Sequence, residues 1–122
     1  MTPDEAENLE TGGRYADYLR ASLTEIARAS IGGRPADEAL WTVHAARACR
    51  RVGKAVDALA HAARAAELAR GAADPLLPAF VRHAQAVALR CARRYDESLA
   101  GLKDALELLP PERDVLRAEV LL

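Results

Sequence analysis

The sequence predicts an all-α chain of about three antiparallel helical hairpins stacked as an α-solenoid. The prediction rests on an internal repeat, on composition and on evenly placed stop signals. Residues 39–69 overlay residues 79–109 at an offset of 40 without a gap, and nine of the 31 aligned positions are identical. Five of those nine are Ala, which supplies 28 of the 122 residues, so the firmer matches are Arg50/Arg90, Leu59/Leu99, Glu67/Glu107 and Leu68/Leu108. Small or apolar residues recur where a hairpin keeps its core: Ala46, Cys49, Ala58, Ala62 and Ala65 fall on Ala86, Leu89, Ser98, Leu102 and Ala105. Ala, Leu, Arg and Glu favour helix, while β-branched and aromatic residues are too few to fill a sheet. Much of the 51% hydrophobic fraction is Ala, so helices can approach closely while each buries little apolar area. Stacking between neighbours then carries most of the stability. A length of 122 residues suits one domain.

Within that domain, residues 1–35 are expected to form N-terminal helices, 36–71 and 74–110 a hairpin each, and 111–122 a terminal helix. Thr2-Pro3-Asp4-Glu5 reads as an N-cap, a proline at the first helical position and a capping glutamate three residues after the cap. Either a short helix runs from here to Gly12-Gly13 or the segment is frayed, since only Ala6 and Leu9 offer it an apolar face. Tyr15, Tyr18, Leu19, Leu23, Ile26 and Ala27 recur at helical spacing from Arg14 to about Ser30, and Gly32-Gly33 stops them. Pro35 opens a helix to about Val52, with bulk from Leu40, Trp41, Val43 and Cys49, and Gly53 turns the chain. Its partner runs from Lys54 to Arg70, with Leu59, Ala62, Ala66 and Ala69 on one face and Gly71 at its end. Asp74-Pro75 caps a helix to about Arg93, and after a tight turn another spans Asp96 to Leu109. Pro110-Pro111 stops that helix and opens a last segment from Glu112 to Leu122.

The acidic N-terminus lacks the apolar run of a secretory signal, and no run of 18 apolar residues occurs. A soluble, cytoplasmic protein is therefore expected. Cys49 and Cys91 sit inside helical patterns and are expected to be small buried hydrophobes rather than a disulfide pair.

The stretch from Arg94 to Pro110 resembles the second half of a tetratricopeptide repeat. Tyr95, Ser98, Leu102, Ala105 and Pro110 fill that family's places for the turn aromatic, the small residue, the bulky residue, Ala and the closing Pro, and Ala86 and Leu89 match the first helix. Gly53, Ala58, Ala62 and Ala65, with Ala46 and Cys49 upstream, fit the same frame in the earlier copy. Departures are visible. Ala55 replaces the turn aromatic, Arg70 stands at the closing Pro, Arg93 stands where the second copy would have Gly, and Thr42 occupies the family's Trp place one residue after Trp41. The period is 40 rather than about 34. The resemblance covers about residues 38–110 and implies a right-handed α–α superhelix, like the arrays found in larger bacterial regulatory and signalling proteins.

Function is read from charge. Residues 1–40 hold four basic and eight acidic groups, residues 41–95 ten and three, and residues 96–122 three and seven, so a basic band lies between acidic ends although the net charge is −1. Arg47, Arg50 and Arg51, and Arg90, Arg93 and Arg94, fall near the C-terminal ends of the first helices of the two copies, where a cation also favours the helix dipole. By the resemblance, first helices line a concave groove. That groove would present Leu40, Val43, Arg47 and Arg50 from one copy and Phe80, His83, Val87 and Arg90 from the next. Such a surface implies a non-enzymatic protein-interaction module for a peptide or helical segment, with an acidic or C-terminal carboxylate group meeting arginine. The family's carboxylate-clamping variety needs Lys and Asn at groove sites that Val43, Ala84 and Val87 occupy here. The alternative is a regulatory or self-associating domain, a homodimer whose apolar end (Leu116, Val120, Leu121) packs on a second copy. The near-neutral charge and a pI of 6.3 argue against nucleic acid. His44, His61 and His83 fall on separate helices without metal-ligand spacing, and no phosphate loop or nucleophile elbow occurs. No catalytic residue, metal or cofactor is expected.

Overall fold

The computed structural model describes residues 1–71, 74 and 76–108. Six helices follow one another: α1 (Pro3–Thr11), α2 (Tyr15–Ile31), α3 (Pro35–Arg51), α4 (Ala55–Leu68), α5 (Leu76–Cys91) and α6 (Tyr95–Leu108). No strand occurs among the described residues. Successive helices pack as antiparallel pairs, and α3 lies against α5 as well as against α2 and α4. Both ends of α4 recur 40 residues later as the ends of α6, and α3 and α5 end 40 residues apart. The expected terminal segment from Glu112 to Leu122, with Leu116, Val120 and Leu121, lies outside the described residues, as does the expected stop at Pro110-Pro111.

One turn geometry joins most of these helices, and its cause is visible in the sequence. After α1, α2, α3 and α5 the second residue beyond the helix adopts a left-handed backbone, at Gly13 (φ 76), Gly33 (φ 65), Gly53 (φ 80) and Arg93 (φ 63). The following basic residue then donates its N–H back across the turn: Arg14 to Leu9 O, Arg34 to Ala29 O, Lys54 to Cys49 O and Arg94 to Leu89 O, at 2.8–3.0 Å. This six-residue closure satisfies carbonyls that a helix end leaves open. Three positions use Gly, which reaches the left-handed region without a Cβ penalty. Arg93 does not. At the other ends, the Thr2 hydroxyl accepts from Glu5 N–H at 3.2 Å, and the Asp74 carboxylate accepts from Leu76 N–H at 2.9 Å.

The interior is built mainly from alanine. Of the 21 buried apolar residues among those described, 15 are Ala, so helices meet at short range and little bulk fills the space between them. Ala46, Cys49, Ala58, Ala62 and Ala88 form one cluster where α3, α4 and α5 converge. A second joins Ala39 and Val43 to Ala65, Ala69, Leu77, Val81 and Ala84. Ala6, Tyr18, Trp41 and Ala48 form a third, which fixes α1 and α2 on α3. Close approach shows again where Ser98 Oγ donates to Ala86 O at 2.6 Å between α6 and α5. The first copy has Ala58 and Ala46 at those places. Cys49 is buried as expected, whereas Cys91, the last residue of α5, is exposed. Both thiols are free.

Among the described residues no helix is long and apolar enough to cross a membrane.

Candidate functional site

α3 is the most enclosed helix, with nine buried residues between Ala39 and Cys49. Where it runs beside α5, the two leave a cleft of about 210 Å³. Leu40, Val43 and Ala46 of α3 and Phe80, Ala84, Val87 and Ala88 of α5 supply its apolar lining. His44, Arg47, Arg50 and His83 supply its polar groups. The spacing explains the arrangement. Positions 40, 43, 47 and 50 share one face of a helix, and positions 80, 83 and 87 share the corresponding face of α5, because residues three and four apart lie above one another.

Seven of the eight groove residues expected from the sequence therefore meet around one cleft. Arg90 does not line it: its side chain is exposed, although its charge still acts on His83. The expectation that Arg50 and Arg90 form a matched pair is thus corrected in geometry. Arg50 stands in the cleft wall, with its side chain 24% exposed, whereas Arg90, at the equivalent next-to-last position of α5, is exposed.

The basic cluster also has an internal carboxylate. Glu10, near the end of α1, is only 8% exposed at its side chain. It accepts from Arg47 Nη2 at 2.9 Å through Oε1 and from Arg51 Nε at 3.1 Å through Oε2. Arg50 Nη2 lies 3.9 Å from the same Oε2, close enough for charge attraction but beyond a hydrogen bond. Arg51 also sits over the Tyr15 ring, 5.6 Å from its centroid. Arg50 Nε is buried and has no hydrogen-bond partner. Glu10 escaped the reading of the sequence, but a signal existed: it stands four residues after the buried Ala6 and so on the packed face of α1.

Electrostatics at the cleft follow from burial beside several cations. Burial lowers the His83 pKa, and the charges of Arg47, Arg50 and Arg90 lower it further. Burial lowers His44 to about 4, reinforced by Arg47 and opposed by Glu10. The His44 ring lies between two aromatic neighbours, 5.1 Å from Trp41 and edge-on to Tyr18 at 5.8 Å, and its Nδ1 shares a hydrogen bond of 2.6 Å with the Tyr18 hydroxyl. Burial pushes the Tyr18 phenol upward, so both partners are neutral near pH 7. Arg50 is itself pushed down, by burial first and then by Arg51.

The result is a small apolar recess with a guanidinium at its edge and neutral imidazoles in its wall. Chemically it suits an anion attached to an apolar group. Among the described residues no three His, Cys, Asp or Glu side chains converge to hold a metal ion. In comparisons with protein families, curated proteins and solved structures, the chain matches none of them.

Proposed function

We propose that this chain is a non-enzymatic interaction module, a tetratricopeptide-like α-solenoid that binds a peptide or helical segment of a protein partner in the cleft between α3 and α5. One observation carries the reading: Leu40, Val43, Phe80 and Val87 line a cleft whose edge holds Arg47 and Arg50, and the Nε of Arg50 is buried without a partner. An apolar surface beside an unsatisfied cationic donor is the chemistry that recognises an acidic, partly apolar segment. Six helices packed in sequential antiparallel pairs, with element ends recurring at an offset of 40, support the solenoid part of the reading. A cleft of about 210 Å³ falls below the roughly 300–1,000 Å³ usual for small-molecule and cofactor sites, which favours a partner's side chains over a metabolite.

The experiment compares partner capture by the unaltered chain and by an Arg50→Glu/Arg90→Glu double variant across salt concentrations. Binding through the basic band weakens as salt rises, because charge attraction is screened, and drops on double reversal. Unchanged capture by the double variant would remove the cleft from the function.

A further inference from the structure

The two halves of the cleft lie too close together to serve unrelated ligand groups. Its apolar lining encloses about 210 Å³, room for one bulky side chain. Beside this lining stands Arg50, whose Nε–H is buried and unbonded. A buried donor left unsatisfied is costly, and more so when it carries charge. The neighbouring guanidinium groups do not share that condition, since Arg47 and Arg51 both donate to Glu10. Three arginines thus face one carboxylate, and Arg50 is the one to which Glu10 makes no hydrogen bond. The surplus of positive charge leaves room for one more anion.

Resting on the interaction reading above, we infer that the cleft is a two-part specificity subsite: it takes a bulky apolar side chain of the partner together with an acidic side chain adjacent to it, whose carboxylate meets the partly exposed Arg50 guanidinium. The partner segment is therefore one in which a Leu- or Phe-like residue neighbours Glu or Asp. The carboxylate enters beside Glu10, which already holds Arg47 and Arg51, so the internal acid opposes the incoming one and weakens its binding. α1 acts on the subsite through that one side chain.

Capped dipeptides test the chemistry without the natural partner. N-acetyl-leucyl-glutamate amide is titrated into the isotopically labelled full chain, and backbone amide shifts are followed by NMR. Shifts are expected at residues 43–50 and 80–87. Replacing the probe's glutamate with glutamine should weaken binding about tenfold or more, the usual scale of a hydrogen bond to a charged group. Replacing its leucine with alanine should weaken binding by about tenfold as well, through lost apolar burial. On the protein side, Arg50→Gln removes the guanidinium charge, and should weaken the leucyl-glutamate probe while leaving the leucyl-glutamine probe unchanged. Glu10→Gln, which keeps the side chain's shape, should tighten the leucyl-glutamate probe several-fold.

Equal affinity for the glutamate and glutamine probes would overturn the proposal, as would shifts confined to residues outside the cleft or no shifts at all at tens of millimolar probe. If partner capture still falls on the Arg50→Glu/Arg90→Glu reversal in any of those cases, the interaction reading survives and the two-part subsite alone is lost. Loss of both the probe's cleft shifts and the reversal's effect rejects the reading itself.

Discussion

The Glu10 carboxylate of α1 lies 2.9 Å from Arg47 Nη2 and 3.1 Å from Arg51 Nε of α3, joining residues 37 and 41 positions apart. This contact ties the acidic N-terminal part of the chain to the basic band in its middle. It also makes α1, a helix of nine residues, part of the cleft's electrostatics rather than an appendage.

Removing that carboxylate has a cost that can be measured. Glu10 is nearly enclosed while Arg47 and Arg51 are almost half exposed, so water recovers part of what the arginines lose. Glu10→Ala should destabilise the chain by about 1–2 kcal/mol, at the lower end for hydrogen bonds to charged groups. Chemical denaturation at low and moderate salt checks this. A midpoint unchanged from the parent would show that the contact contributes nothing net.

The neutral Tyr18–His44 pair makes stability depend on pH. The ordinary histidine pKa of 6.5 applies in the unfolded chain, and the folded value is about 4. The unfolded state therefore takes up the proton first, and stability rises with pH through this window. The contribution is fully present above about pH 6.5 and is lost as pH falls towards about 4, a change of about 3 kcal/mol for this group. His61 and His83 are shifted in the same direction and add to the slope. Denaturation midpoints between those pH values should converge when the parent is compared with His44→Gln, since the variant lacks the largest of these terms. Tyr18→Phe should cost about 1 kcal/mol near neutral pH by leaving His44 Nδ1 without its partner.

Arg93 occupies a left-handed backbone position that Gly fills at the three equivalent turns. For an L-residue that conformation costs roughly 1–2 kcal/mol, part of which Gly returns through the greater freedom of its unfolded chain. Arg93→Gly should stabilise the protein by about 0.5–1 kcal/mol. The reverse change at Gly53, where an added Cβ would meet open space, isolates the backbone term. Gly53→Ala should therefore cost about 1 kcal/mol, read by thermal or chemical unfolding.

Position 58 tests how alike the two hairpins are. Ser98 bonds to Ala86 O, and the residues 40 earlier are Ala58 and Ala46. Ala58→Ser should be close to neutral, because the new hydroxyl finds the Ala46 carbonyl as Ser98 finds that of Ala86. Ala58→Leu should cost about 1–3 kcal/mol by overpacking a fully buried site. Equal losses for the two variants would show that the α3–α4 contact is not built like α5–α6.

Much of this architecture could be read before any coordinate. Gly32-Gly33 and Gly53 stop helices through backbone chemistry that acts locally, so the bounds of α2 and α3 fall within a residue or so of expectation, while α1 decides between the helix and the frayed segment that the sequence left open. Leu40, Val43, Arg47, Arg50, Phe80, His83 and Val87 were legible as a group through the tetratricopeptide resemblance, which implies that first helices line a groove, while the 40-residue offset matches their positions in the two copies. Glu10 was not, since its partners lie two helices away and no local pattern records that contact. Cys91 was misplaced because it is the last residue of α5, where a helical pattern continues but the packed surface does not, and Arg90 is exposed although its counterpart Arg50 lines the cleft. The left-handed Arg93 was visible only as a departure from Gly at the matching position.

The most direct measurement places a photo-crosslinking benzoylphenylalanine at Phe80, in the cleft, or at Leu99, which is 65% exposed on α6 and outside it. Each chain is irradiated with its cellular partners. A partner segment held between α3 and α5 predicts adducts from position 80 that vanish when Arg50→Glu is added, and none from position 99. Adducts from position 99 alone, or adducts from position 80 that survive the charge reversal, would contradict it.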